Sequence, residues 1–243
     1  MADNTHSIDW ELSSSQYSAR ADTADLSFTS DLTFEGWFKF ETLPSSDIFT
    51  FLSKWDGAVN AGAYVWDLQH DGANYLFRFV HNDGTANETQ TFTLTGGNIP
   101  TTDTWLHYAM RWDASASTVE FLINGVDIGS DTGTQTAIQD TDKQFNIAAR
   151  DDGSGGGGET DFFDGKMNNI RVWSDLRTDA EISNNRNVVL TNTGTDNLVD
   201  AWYYNNNHNS ASGNNDLTAS GSPVFSTDVP FVTAVNNSYF YFM

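Results

Sequence analysis

The stretch TWLHYAMRWDASASTVEFLINGVDIGS, residues 104–130, decides the fold class. Its first ten residues, Thr104 to Asp113, read as one strand. In the second half Val119, Phe121 and Ile123 alternate onto one face, the period of a half-buried strand. That strand turns at Asn124-Gly125, the pair best suited to a type I′ hairpin because both central residues need positive φ.

Working outward, the same period recurs. In LTFEGWFKFE, Leu32, Phe34, Phe38 and Phe40 fall on one face, with Thr33, Glu35 and Lys39 on the other. GAYVWDLQ and NYLFRFVH flank the hairpin signal His70-Asp71-Gly72-Ala73. QFNIAAR and KMNNIRVWS follow, and a further strand is expected at Asp200–Tyr204. Thr178 followed by Glu181 has capping-box spacing and predicts one short helix near 178–187. Turn signals recur roughly every ten residues, which predicts an all-β, antiparallel, two-sheet sandwich or a barrel. No Pro/Ser-rich linker and no internal repeat divides the chain, so a single domain is expected over 1–230, with an aromatic tail at 231–243.

Composition narrows the partners. Thirty-three acids against 11 bases leave a net charge of −22, which repels phosphate backbones and makes nucleic acid and anionic membranes poor partners. The acids also suit a strongly hydrated, soluble exterior. With no cysteine, disulfides, thiolate metal sites and cysteine nucleophiles are excluded. No secretory signal is visible at the N-terminus, and no apolar run reaches membrane-spanning length. The expectation is a protein acting outside the cell or on a virion surface by another route of export, with a cytoplasmic location as the alternative.

The order of these pieces resembles the laminin G-like and pentraxin-like jelly rolls of the concanavalin A-like lectin and glucanase superfamily. The resemblance rests on SIDWELSSSQYSARADTADLSFTSDLTFEGWFKF as opening strands and on the Ser53-Lys54-Trp55-Asp56 turn. It continues through the Trp105-x-His107 strand with its Asn-Gly hairpin, the closing strand in FFDGKMNNIRVWSDLRTDAEI, and the Asn/Gly-rich return NLVDAWYYNNNHNSASGNNDLTASGSPVF. Together these cover about residues 6 to 228. The resemblance implies a jelly-roll β-sandwich. The family's closing strand often carries an acidic pair where this chain has Asn168 and Asn169, so a cation would have to find other ligands.

In AARDDGSGGGGETDFFDG, residues 148–165, the five glycines at 153 and 155–158 are edged by carboxylates. A phosphate cradle would open a helix and carry a lysine; this loop opens a strand and is acidic, so that reading fails. Slack between strands and a cation site remain. Ca²⁺ takes six to eight oxygens from irregular loops, and glycines let backbone carbonyls join in. The resemblance implies a Ca²⁺ ligand set of Asp151, Asp152, Glu159 and Asp161, with Asp56 and Asn60 on the facing loop. Trp55, Tyr64 and Trp66 adjoin that loop and read either as a platform for a sugar face or as rings closing the end of the core. Glucanase chemistry needs carboxylates alternating along one strand, and the seven glutamates form no such series. The five histidines are scattered, no Gly-x-Ser-x-Gly elbow occurs, and nucleophilic catalysis has no support.

These readings converge on a non-catalytic module that recognises a glycan or a surface protein at its loop rim with help from Ca²⁺. The alternative is a structural or decoration subunit of a surface assembly such as a virion; a glycan-cleaving enzyme ranks third. The Tyr239–Met243 terminus suits assembly into a homo-oligomer, because its apolar side chains demand cover.

Overall fold

The computed structural model describes residues 4–57, 61–153, 158–190, 193–194 and 196–232. Seventeen strands follow one another: β1 (Ser7–Trp10), β2 (Tyr17–Arg20), β3 (Leu32–Phe40), β4 (Ile48–Lys54), β5 (Tyr64–His70), β6 (Tyr75–Asn82), β7 (Asn87–Thr93), β8 (Leu106–Asp113), β9 (Thr118–Ile123) and β10 (Val126–Thr132). After these come β11 (Phe145–Ile147), β12 (Arg150–Asp151), β13 (Glu159–Thr160), β14 (Gly165–Trp173), β15 (Leu198–Trp202), β16 (Thr218–Ser220) and β17 (Val224–Ser226). Among the described residues one α-helix, α1 (Asp179–Asn185), sits between β14 and β15.

Two antiparallel sheets form a jelly-roll sandwich. One runs β10-β9-β8-β3-β14-β1-β17, with β15 also paired to β14; the other runs β16-β2-β11-β4-β5-β6-β7. The Asn124-Gly125 turn joins β9 to β10 with both residues at positive φ, as the type I′ reading requires. Phenylalanine rings from both sheets interdigitate between them: Phe38 meets Phe51 at 4.4 Å between centroids, and Phe163 lies 5.1 Å from Phe40.

Side chains close the side of the sandwich where β7 faces β10. Gln90 Nε2 donates to the carbonyls of Ser117 and Asp131 at 2.8 and 2.9 Å, and the Asp131 carboxylate accepts from the Thr91 amide at 2.8 Å. Those bonds cover edges that would otherwise invite strand addition.

Two expectations shift. The strand predicted at Asp200–Tyr204 lies two residues earlier, because Tyr204 adopts φ 56° and leaves the ladder. The alternation of β3 is as read, but its second face does not meet water. Thr33 and Glu35 are buried there beneath the segments that flank α1: Thr33 Oγ1 donates to the Asp175 carbonyl at 2.7 Å, and nearby Trp37 Nε1 donates to the Arg186 carbonyl at 2.8 Å. The Tyr239–Met243 terminus lies outside the described residues.

Candidate functional site

The strands on either side of the glycine-rich run, β12 and β13, pair antiparallel, and residues 154–157 between them lie outside the described residues. Arg150 and Asp151 pair with Thr160 and Glu159, and the Asp152 amide donates to the Gly158 carbonyl at 3.2 Å. This hairpin stands beside the loop that follows β4. Gly57 lies against the Asp152 backbone so closely that a Cβ there would fall 2.1 Å from the Asp152 carbonyl oxygen. Only a residue without a side chain permits that approach.

The site residues predicted from the sequence divide here. Asp56 and Asp151 act on Lys143 at one rim, and the Asp152 backbone lies beside them against Gly57. Lys143 Nζ meets Asp56 Oδ2 at 2.8 Å. The hydrogen bond to Asp56, together with the charges of Asp56, Asp142 and Asp151, raises the amine's pKa above its ordinary value against a smaller effect of burial. Asp151 Oδ1 accepts from the Gly153 amide at 2.8 Å, and Glu159 Oε1 accepts from Gln144 Nε2 at 2.6 Å. Asp161 belongs elsewhere. It adopts φ 55°, its carbonyl accepts from the Thr50 amide at 2.9 Å, and its carboxylate pairs with the Arg150 guanidinium. Burial raises its pKa, against the pull of Arg150. Asn60 lies outside the described residues.

The ring platform does not form at the three predicted positions. Tyr64 is wholly buried; its hydroxyl donates to the Leu26 carbonyl at 2.8 Å and its ring meets Phe28 edge to face. Trp66 is also wholly buried, 4.9 Å from Phe51 between ring centroids. Trp55 packs on Val65 and Val80 and lies flat over Gly62, where a Cβ would come within 2.3 Å of its ring. Of the two readings of these rings, closure of the core end is the one the structure supports.

Two polar clusters escaped sequence reading. Glu35, His107 and Arg171 sit side by side on β3, β8 and β14 and are buried. Glu35 Oε1 accepts from Arg171 at 3.1 Å and from Trp173 Nε1 at 3.0 Å, while Oε2 lies 3.3 Å from His107 Nε2. Burial alone would raise the Glu35 pKa; the Arg171 guanidinium and the His107 contact outweigh it and hold the carboxyl at about 2. Burial lowers His107 despite Glu35, so the ring is neutral at pH 7 and Arg171 is the permanent counter-charge. This triad ties three strands together and has no surface to offer a substrate. Asp9, Glu11 and Glu41, far apart in sequence, come within 4.8 Å of one another through the pairing of β1 and β3 to β14. Lys166 already sits among them, 3.1 Å from Asp9 and 2.5 Å from Glu41.

Comparisons with known proteins agree with this geometry. The fold and its hairpin-edged rim define a laminin G-like jelly roll. A laminin G family model described as concanavalin A-like lectin/glucanases superfamily matches residues 12–183, and the chain belongs to that superfamily. No curated protein matches in sequence. Among solved structures, a candidate carbohydrate-binding protein from Bacteroides ovatus superposes with a TM-score of 0.66 at 18% identity, over 96% of this chain and 62% of its own. This chain therefore spans less than two thirds of that protein. The heptameric SAP-like pentraxin of Limulus polyphemus gives 0.52 at 13% identity, over 86% and 94%. The carbohydrate-binding module CBM40 of a Ruminococcus gnavus sialidase, bound to α2,3-sialyllactose, gives 0.53 at 13% identity, over 76% and 100%. At such identities the likeness is one of fold.

Proposed function

We propose that this protein is a non-catalytic glycan-binding module working outside the cell or on a particle surface, and that a divalent cation, Ca²⁺, assists binding at the rim formed by Asp56, Asp151 and Asp152. The observation that carries the reading is the close approach of the loop after β4 to the β12–β13 hairpin at Gly57 and Asp152. It sets Asp56, held by Lys143, beside the hairpin that carries Asp151, whose charge also acts on that amine. The donor set is hard oxygen, which suits Ca²⁺. Lys143 holds the Asp56 carboxylate at 2.8 Å, so the ion would have to displace that amine. Bound there, Ca²⁺ would supply a fixed positive centre for sugar hydroxyls; the chain's part is to orient the carboxylates and exclude other anions. Carbohydrate-binding proteins among the structural neighbours support the glycan half of the proposal.

Thermal melts separate the parts. With Ca²⁺ the melting temperature should exceed that in NaCl of equal ionic strength, since a ligand of the native state stabilises it. Asp56→Ala together with Asp151→Ala should abolish the difference. Coincident wild-type curves would eliminate the cation. A glycan array read with Ca²⁺ and with chelator tests the glycan reading, which fails if no glycan is retained in either condition.

A further inference from the structure

We propose a second ligand site, separate from the cation rim: a recess in the loops at the β3–β14–β15 end of the sandwich that binds a neutral, hydroxyl-rich saccharide without metal. The recess holds about 570 Å³, between the 24–31 loop, Ser174, the turn before β15 and the 212–214 loop. That volume lies within the range of small-molecule sites.

Its walls are built before any ligand arrives. Thr23 Oγ1 donates to Asn215 Oδ1 at 3.0 Å, joining the 24–31 loop to the Asn-rich loop. The buried Asp200 carboxylate holds that second loop, accepting from the Ser212 amide at 3.1 Å, the Ser212 hydroxyl at 2.5 Å and Asn215 Nδ2 at 2.9 Å. On the third side the Ser174 amide donates to the Asn197 carbonyl at 3.0 Å, and Asn197 Nδ2 donates to Asp175 at 3.1 Å. Walls bonded to one another in this way spare a ligand the entropy of ordering them.

The groups left over define the ligand. Asp25, Thr29, Ser30 and Asn214 line the recess, and their side chains carry no hydrogen bond among the described residues. A carboxylate accepts from paired hydroxyls, an amide both donates and accepts, and two hydroxyls do either. Phe28 and Leu198, both buried, close the floor of the recess. Among the described residues no lysine or arginine lines the recess, while Asp25 and Asp31 do. An acidic sugar would therefore meet repulsion with no counter-charge. Asp25 and Asn214 are exposed, so altering them leaves the core alone.

Amide NMR spectra of the full chain in chelator, titrated with cellotriose, xylotriose, maltotriose and lactose, test the site, with 3′-sialyllactose as the acidic probe. At least one neutral saccharide should shift the amides of Ser30, Gly194 and Gly213. Asp25→Asn and Asn214→Ala should each weaken that binding roughly tenfold, the effect of losing one hydrogen bond to a charged or well-placed group. Asp151→Ala should leave it unchanged, which separates this site from the rim. The proposal is overturned if none of the four neutral saccharides shifts these amides, if neither recess variant weakens binding, or if the sialylated probe binds as well as lactose.

Discussion

Glu35 shows how one residue can be polar in the sequence and interior in the structure. Alternation along β3 assigns it to the face opposite the aromatic core, and the covering segment from α1 to Val188 then removes that face from water. Its charge survives because Arg171 is fixed beside it. Breaking a buried pair is worse than never having one, since the remaining charge stays desolvated. Glu35→Gln should therefore destabilise the protein by about 3–5 kcal/mol in urea melts, and adding Arg171→Met should restore part of the loss. A double variant no better than the single one would show that the pair is not the cause. The pH dependence has a definite sign. A carboxyl at about 2 in the fold and 4.5 in the unfolded chain contributes stability that is complete above pH 4.5 and lost as pH falls towards 2. His107 acts in the same sense and earlier: burial lowers its pKa from 6.5, so the unfolded chain takes up its proton first and stability begins to fall below that value. Urea midpoints should decline from about pH 6.5 downward and steepen below about pH 4.5. In Glu35→Gln the steep acid leg should shrink.

At the scale of elements, α1 links local signals to tertiary packing. Its capping box is complete: the Thr178 hydroxyl accepts from the Glu181 amide at 3.3 Å, and Glu181 accepts from the Thr178 amide at 2.8 Å. Ile182 reaches Ala109 and Leu122 on the sheet. Across from it the β9–β10 turn presents Gly125, where a Cβ would lie 2.8 Å from Ser183 Cα. Thr178→Ala should cost about 1 kcal/mol, the ordinary loss of a cap. Gly125→Ala should cost more, because it combines left-handed strain of about 1–2 kcal/mol with a clash against the helix. Equal losses in thermal melts would mean that the turn and the helix are not in contact. Thr178-x-x-Glu181, Asn124-Gly125 and the alternation of β3 were legible because each depends on neighbours a few residues away. The end of β15 was not, since Tyr203 and Tyr204 alternate like strand residues and only the turn at Tyr204 ends the ladder. Likewise the sequence points to the acids of the rim, while periodicity cannot say whether Trp66 lies between the sheets or outside them. Asp9, Glu11 and Glu41 carry no local signal at all, because their meeting depends on both β1 and β3 pairing with β14.

Across the whole molecule the charge is unevenly used. Nine of the 11 basic residues, Lys39, Lys54, Arg78, Arg111, Lys143, Arg150, Lys166, Arg171 and Arg177, are engaged in ion pairs with carboxylates. The remaining acidity is mutual repulsion, which salt screens over a Debye length of about 10 Å at 0.1 M. Exposed pairs are worth only about 0–1 kcal/mol each, so added NaCl should raise the melting temperature; a fall would mean that the pairs outweigh the repulsion. Placement of the chain's end leads to a different test. Residues 224–231 belong to the sandwich: β17 pairs with β1, and Asp228 accepts from Lys39 Nζ and Trp105 Nε1, both at 2.9 Å. Phe231 sets its ring 6.2 Å from that of Trp37, and its carbonyl accepts from Asn4 Nδ2 at 2.9 Å. Beyond these anchors the sequence continues through the polar Asn236-Asn237-Ser238 to the apolar Tyr239–Met243. Burying such side chains stabilises by about 1.5–3 kcal/mol each, and a second copy of the chain can supply the cover as well as its own sandwich can. If a second copy covers the tail, deleting residues 236–243 should leave strand content and melting temperature unchanged while lowering the mass measured by light scattering. A truncated protein of unchanged mass but lower melting temperature would place the tail on its own sandwich and remove the case for assembly.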